Sequence, residues 1–128
     1  MSLRAPLAKV LNHGAAHDGV NHWWVQRVTA LALAPLVIWL LWQLLSLPDA
    51  SYLSVTAWIR YSWNAVLLSF VVLLASWHGW LGLQVVIEDY EHRSLPKIAL
   101  LVLSTFVHAL LAASGIYAVL RIALRSIA

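Results

Sequence analysis

The chain has 128 residues, of which 62% are hydrophobic and 10% are charged, and its formal net charge is +3. Soluble globular domains are roughly 45–50% apolar and about 25% charged, so this composition indicates a protein whose solvent is lipid. The sequence has no cysteine and no basic run, which excludes disulfides and cysteine-held zinc or iron–sulfur clusters within the chain and predicts no nucleic-acid partner.

The first predicted element is an N-terminal segment, residues 1–22, that is too polar to cross a bilayer. Gly14 and Gly19 are expected to break helices there, and a short interfacial helix is expected around Pro6 to Asn12. No short apolar core leads to a small-residue cleavage site, so a signal peptide is not indicated. We therefore predict a cytoplasmic segment that lies at the membrane surface.

Three apolar stretches follow, and each is long enough to cross roughly 30 Å of hydrocarbon, which takes about 20 helical residues. They are predicted at about residues 26–47, 62–87 and 96–124. Pro35 lies inside the first span and predicts a kink. The connector from Pro48 to Arg60 is expected to be short and polar, and the second loop, at residues 88–95, is short enough to make the second and third spans antiparallel neighbours.

The prediction is therefore an all-α integral membrane protein, with a three-helix transmembrane domain at residues 23–128. Its basic residues predict the orientation. Five of them lie on the side of the N-terminus and second loop, namely Arg4, Lys9, Arg27, Arg93 and Lys97, and three lie on the opposite side, namely Arg60, Arg121 and Arg125. Because cytoplasmic segments carry an excess of Lys and Arg, the N-terminus is expected in the cytoplasm and the C-terminus outside.

His78 lies inside the second span, roughly 15 Å below the interface at Glu88, at about 1.5 Å per residue. A ring at this depth needs a partner, and it serves either helix packing or function. Ala75, His78, Gly79 and Gly82 share one helical face that is nearly flat apart from the imidazole. This face suits a haem that takes His78 as an axial iron ligand. Close helix packing is the alternative explanation for the glycines.

Asp89 and Tyr90 follow at the end of the same span. His78 and Asp89 are separated by three helical turns plus about 20°, so they share a face if the helix continues that far. A phenol and a carboxylate at the edge of hydrocarbon suit a quinone, because tyrosine can hydrogen-bond a carbonyl and the acid can orient a partner or relay protons. The alternative is a helix cap beside an interfacial tyrosine.

Arg27 lies near the cytoplasmic edge of the first span. A buried guanidinium needs an anion, and haem propionates reaching toward the cytoplasmic side would supply one. The alternative is an arginine whose head group reaches the lipid phosphates.

This three-span chain contains two informative stretches, HWWVQR at 22–27 and HGWLGLQVVIEDY at 78–90. His92 follows just after the second stretch. The arrangement resembles the smaller membrane-anchor subunit of succinate dehydrogenase, respiratory complex II. The most specific features are the histidine, the glycine four residues later and the Asp-Tyr pair eleven and twelve residues later. The resemblance covers the architecture of the whole chain, while the motifs occupy residues 14–30 and 78–92.

The resemblance implies half of a heterodimeric anchor bundle in a four-subunit succinate:ubiquinone oxidoreductase of the bacterial inner membrane. The partners would be a flavoprotein subunit, an iron–sulfur subunit and a second, cytochrome b556-type anchor subunit. By the same resemblance, His78 is an axial ligand of a haem b shared with that second anchor and Tyr90 hydrogen-bonds ubiquinone. Asp89 is the acidic neighbour of that tyrosine, and Arg27 lies near the haem propionates and the quinone pocket. The chain alone would not oxidise succinate.

Other histidines lie outside this pattern. His108 lies at a membrane depth similar to that of His78. An alternative is therefore that this one chain supplies both haem ligands. A hydrogen bond within the bundle, or contact with the partner subunit, is the preferred interpretation of His108. His13, His17 and His22 lie near the interface, where contact with solvent or head groups is expected.

Three other functions compete with the preferred one. The first is a cofactor-free structural or assembly membrane protein. The second is a transport subunit, which is disfavoured because the spans lack paired intramembrane charges and unwound segments beyond Pro35. The third is the anchor of a quinol:fumarate reductase, which would run the same chemistry in reverse.

Overall fold

The structure is a computed structural model that describes residues 14–125, with side chains from Val20 onward. Four helices make up this part of the chain. They are α1 (Gly14–Leu45), α2 (Tyr52–Arg60), α3 (Ser62–Tyr90) and α4 (Ser94–Ala123). Three segments are long and apolar enough to cross a membrane, namely Val20–Leu45, Ser62–Tyr90 and Ser94–Ala123. The predicted all-α class with three spans is confirmed.

Helix α1 is longer than the sequence predicted. It begins at Gly14 and passes through Gly19 and residue 22 without a break. The expectation that Gly19 interrupts the helix is wrong, because a glycine within a helix costs only about 0.5–1 kcal/mol relative to alanine. Gly14 is the first described residue of α1, so the expectation for it stays a prediction. Pro35 lies inside α1, and the helix continues on both sides of it. The interfacial helix expected around Pro6 to Asn12 lies outside the described residues.

Helix α2 (Tyr52–Arg60) occupies most of the connector that was expected to be short and polar. Ser51 is its N-cap, with Oγ accepting a hydrogen bond from Ser54 N–H at 3.3 Å. Asp49 Oδ1 in turn accepts from the N–H and hydroxyl of Ser51, at 3.0 and 2.6 Å. Hydrogen bonds from the Ser51 and Ser54 hydroxyls hold the pKa of Asp49 below its ordinary value. The chain is therefore turned into α2 by short-range hydrogen bonds.

The apolar face of α2 packs against the rest of the chain. Trp58 and Ile59 are buried, in a cluster with Ala65 of α3 and Val119 of α4. The Trp58 ring stacks on Trp39 of α1 at 5.9 Å between centroids, and its Nε1 donates to Gln43 Oε1 at 3.2 Å. Helix α2 therefore holds together the ends of the three long helices on one side of the molecule.

Helix α3 is the central element. It packs against both α1 and α4, whereas the backbones of α1 and α4 do not meet within the described residues. Helix α3 runs beyond its expected end at residue 87 to Tyr90, so that three residues, 91–93, connect it to α4. The prediction that these two spans are antiparallel neighbours is confirmed. A Cβ added at Gly115 of α4 would lie 2.6 Å from Val72 Cγ1 of α3, so glycine permits this close contact.

Candidate functional site

His78 lies on the side of α3 that packs against α1. Its ring is partly buried, and its two nitrogens contact two polar side chains of α1. The distance from Nδ1 to Thr29 Oγ1 is 2.9 Å, and the distance from Nε2 to the Gln26 side-chain nitrogen is 3.5 Å. Thr29 is buried, with 3% of its surface exposed. The imidazole therefore has a firm partner on one nitrogen and a weak one on the other.

The contacts of Gln26 and Thr29 favour one proton position on this ring. The Gln26 amide nitrogen can only donate, so Nε2 of His78 accepts from it and Nδ1 carries the proton. Nδ1–H then donates to the Thr29 oxygen, whose own proton goes to the carbonyl oxygen of Val25 or Gln26, 2.9 and 3.0 Å away. Nε2 then carries the lone pair, and this is the nitrogen available to a metal.

Gln26 leaves this region incompletely satisfied. Its Oε1 is buried and has no hydrogen-bond partner among the described groups. A Cβ added at Gly82 would lie 3.4 Å from the Gln26 side-chain nitrogen, so the glycine leaves room for the amide. A buried carbonyl oxygen without a partner costs about 1–3 kcal/mol. The polar groups around His78 are therefore not fully paired by the part of the chain that the structure describes.

Gly79 faces α4, the other long helix that packs against α3. A Cβ at this position would lie 3.4 Å from Nε2 of His108 in α4. His108 is held by its own helix, since Nδ1–H donates to the Ser104 carbonyl oxygen at 2.8 Å. Side chains of α1 and α4 thus cover Gly82 and Gly79, and the flat open strip expected from the sequence is not present at these two positions. Close helix packing accounts for both glycines in this chain.

Asp89 and Tyr90 end α3, so the helix does continue far enough for His78 and Asp89 to share a face. Both side chains are exposed, and Tyr90 has 83% of its surface accessible. The preceding residue, Glu88, makes two hydrogen bonds. Its side-chain Oε1 accepts from the Gln84 amide at 3.0 Å, and its backbone carbonyl oxygen accepts from Lys97 Nζ at 3.2 Å. The structure places the acid and the phenol at one end of α3, on the outside of the chain.

Arg27 lies on the exposed side of α1. Its guanidinium carbon is 5.2 Å from the centroid of the Trp23 ring, a cation–π contact. His22 was expected to contact solvent or head groups, but it is half-buried and its Nε2 lies 3.3 Å from the Leu81 carbonyl oxygen of α3. The side chain of His17 is not described, and His13 lies outside the described residues.

Sequence reasoning missed Gln26 and Thr29. A signal was present, because His22, Gln26 and Thr29 recur at i, i+4 and i+7 and therefore share one face of α1. The structure turns this polar face toward α3. Among the side chains that the structure describes, at residues 20–125, no group of three or more His, Cys, Asp or Glu is arranged to hold a metal ion.

Comparison with known proteins identifies the family of this chain. The family profile of the succinate dehydrogenase/fumarate reductase transmembrane subunit matches residues 1–113. The chain belongs to this family. The resemblance noted in the sequence is therefore confirmed, and His78, Asp89 and Tyr90 all lie within the matched region of this succinate dehydrogenase/fumarate reductase subunit.

Individual relatives agree with the family assignment. The succinate dehydrogenase hydrophobic membrane anchor subunit of Rickettsia conorii is 31% identical over 105 residues, covering 80% of this chain and 83% of the relative. That of Rickettsia bellii is 36% identical over 88 residues, covering 68% and 70%. The succinate dehydrogenase membrane anchor subunit of Reclinomonas americana is 29% identical over 93 residues, covering 70% and 78%.

Proposed function

We propose that the chain is the membrane anchor of a succinate:ubiquinone oxidoreductase, with His78 as one axial ligand of a haem b and with Tyr90 and Asp89 in the ubiquinone-reduction site. Family membership supports the anchor role. The observation that supports this site is the environment of His78. Its imidazole lies inside a candidate membrane span, and its Nδ1–H donates to buried Thr29. Its remaining nitrogen has only a 3.5 Å contact, which iron can replace.

The residues around His78 fit one axial position of a haem. A hydrogen bond from Nδ1–H to an oxygen orients a ligating imidazole and raises its basicity. Thr29 would provide that oxygen, and Gln26 Oε1 is a buried polar group that has no hydrogen-bond partner among the described residues. A bound b-type haem would supply a one-electron redox centre. The second ligand would come from a partner anchor, since His78 faces α1 whereas His108 contacts Gly79 from α4.

Tyr90 and Asp89 would act on the quinone. The phenol can donate a hydrogen bond to a quinone carbonyl oxygen, and the neighbouring carboxylate can orient a partner or relay a proton. Both side chains are exposed, so the walls of this pocket would come from the iron–sulfur subunit and the second anchor. Arg27, exposed on α1, would bind an anionic group such as a haem propionate at the same end of the assembly.

The direction of the reaction is a separate matter. The family includes fumarate reductase subunits, and the anchor chemistry is the same in both directions. The potential of the quinone and the soluble flavoprotein and iron–sulfur subunits would set the direction. The succinate-oxidising direction is proposed here because the relatives in Rickettsia and Reclinomonas carry the succinate dehydrogenase name.

The ligand assignment is tested with His78→Ala in the purified complex. The reduced-minus-oxidised spectrum should lose the bands of a b-type haem, because the axial nitrogen is absent. His92→Ala, an exposed histidine of the second loop, is the matched control and should keep them. An unchanged spectrum in His78→Ala would remove His78 as a ligand. A colourless wild-type preparation would favour the cofactor-free alternative.

A further inference from the structure

A cleft of about 590 Å³ lies between α2 and α4, at the end of the molecule opposite Asp89 and Tyr90. Three arginines line it, Arg60 from the last turn of α2, Arg121 from the last turn of α4 and Arg125 from just after that helix, together with the phenols of Tyr52 and Tyr117. Arg121 and Arg125 both face this cleft, although Arg125 lies beyond the end of α4. The haem and quinone proposals use none of these residues.

The positive charge of this cleft is not balanced by nearby carboxylates of the described chain. Asp49 is the acidic residue on this side, and its Oδ1 accepts two hydrogen bonds from Ser51. Glu88, Asp89 and Glu91 lie at the far end of the 29-residue α3, roughly 40 Å away at about 1.5 Å per residue. Three guanidinium groups around one cleft therefore create a site for an anion.

The chemistry of the lining selects among anions. Guanidinium groups bind phosphate through paired N–H donors, and phenols add further donors. The remainder of the lining includes apolar side chains such as Leu53 and Ile122. The cleft also lies where two candidate membrane spans, α3 and α4, begin and end, which is the depth of lipid head groups. A ligand with a phosphate and hydrocarbon chains satisfies both parts of the lining.

We propose that this cleft binds the phosphate of an anionic phospholipid from the leaflet on that side of the membrane. The arginines hold the phosphate, and the acyl chains run along the exposed apolar surface of α4. A net negative lipid is favoured over a zwitterionic one because the site carries three positive charges. The proposal is independent of the redox assignment, since none of its residues contacts the His78 region.

Native mass spectrometry of the full chain in detergent tests the site, with phosphatidylglycerol, phosphatidylcholine and inorganic phosphate as probes. The wild type should retain phosphatidylglycerol in preference to phosphatidylcholine. Arg121→Gln/Arg125→Gln should weaken phosphatidylglycerol binding by about 30-fold, at roughly 1 kcal/mol for each arginine. Arg93→Gln removes one charge at the opposite end of the chain and should leave binding unchanged.

A second variant distinguishes loss of the lipid site from a folding defect in the double arginine variant. Ala118→Trp fills the cleft without removing a charge and should also release phosphatidylglycerol, while circular dichroism reports helix content for each variant. Wild-type binding by either variant would overturn the proposal. Equal retention of phosphatidylcholine, or displacement of phosphatidylglycerol by inorganic phosphate, would overturn it as well.

Discussion

Two side chains of α1, Gln26 and Thr29, contact the two ring nitrogens of His78 across the interface between α1 and α3. The Gln26 amide nitrogen can only donate to Nε2, so Nδ1 carries the proton and donates to the Thr29 oxygen. This arrangement selects the tautomer in which Nε2 is unprotonated. If His78 binds a haem iron, Thr29 would orient the ring through this hydrogen bond without touching the iron.

Thr29→Val tests this positioning role. The replacement keeps the size of the buried side chain but removes the oxygen that accepts from Nδ1–H of His78. If His78 is a haem ligand, haem affinity should fall by about 10–100-fold. The midpoint potential of the remaining haem should also shift, because the imidazole becomes less basic. Haem content and a redox titration measure both effects, and Thr29→Ser should restore them. A Thr29→Val complex with wild-type haem content and potential would show that the hydroxyl serves packing alone.

Tyr90→Phe tests the quinone assignment. The substitution keeps the ring and removes the phenol that would hydrogen-bond the quinone carbonyl. Succinate:quinone reductase activity should fall, while succinate oxidation with an artificial acceptor persists, because that reaction bypasses the quinone site. Tyr61→Phe, an exposed tyrosine at the other end of α3, is the control. Equal loss of both activities would indicate faulty assembly instead.

Helices α3 and α4 make the main contact of this fold, and Gly115 of α4 lies directly against Val72 of α3. In lipid, helices gain little from apolar burial against each other, so close packing at small residues contributes most of the association. A valine side chain of α3, Val72, occupies the space above Gly115. Valine is stiff at χ1, so it cannot move aside without cost.

Gly115→Ala should therefore destabilise the chain. The added methyl group meets Val72 at 2.6 Å, and such overpacking costs about 1–3 kcal/mol, more than the roughly 0.5–1 kcal/mol gained in helix propensity. Thermal unfolding of the purified chain in detergent measures the loss. Ser114→Ala, at the exposed neighbouring position, should change little.

The pair Gly115→Ala/Val72→Ala completes a double-mutant cycle. Removing the valine methyl groups removes the overlap, so the double variant should be more stable than the sum of the two single effects predicts. Additive effects would mean that the two helices separate slightly at this point and that Val72 does not limit their approach.

At the scale of the whole molecule, α1 and α4 flank α3 without closing a bundle among the described residues. Large apolar side chains remain exposed on all three long helices, including Trp42, Phe70 and Leu110. In water such a surface would aggregate, whereas lipid or a second anchor subunit covers it without penalty. The open arrangement is consistent with a chain that forms one half of a larger bundle.

The orientation of the molecule is tested with single cysteines, because the natural chain has none. Ala50→Cys lies in the loop before α2, and Ser94→Cys lies at the start of α4, both at exposed positions. The excess of Lys and Arg predicts that the second loop is cytoplasmic. A membrane-impermeant thiol reagent applied to intact cells should label position 50, and position 94 only after permeabilisation. Labelling in the reverse pattern would invert the topology.

Much of the fold was accessible from the sequence, because it depends on composition and on the helical period. The length of the apolar stretches predicted three spans, and the short second loop predicted that α3 and α4 are antiparallel. Helix α2 was missed although its signals are local, a serine cap at Ser51 and apolar residues at Val55, Trp58 and Ile59. Trp58 of α2 packs on Trp39 of α1, and this contact stabilises α2. The pattern of polar and apolar residues along the chain does not predict a contact between two helices.

The sequence by itself determined the lipid environment and the depth of His78 within a span, because both follow from counting residues along one helix. The tertiary structure decided which groups surround that histidine. Thr29 and His78 are 49 positions apart, and the cleft brings Arg60 of α2 together with Arg121 of α4 and Arg125 just beyond it. Such pairings depend on which face each helix turns toward its neighbour, and that choice follows from the packing of whole helices.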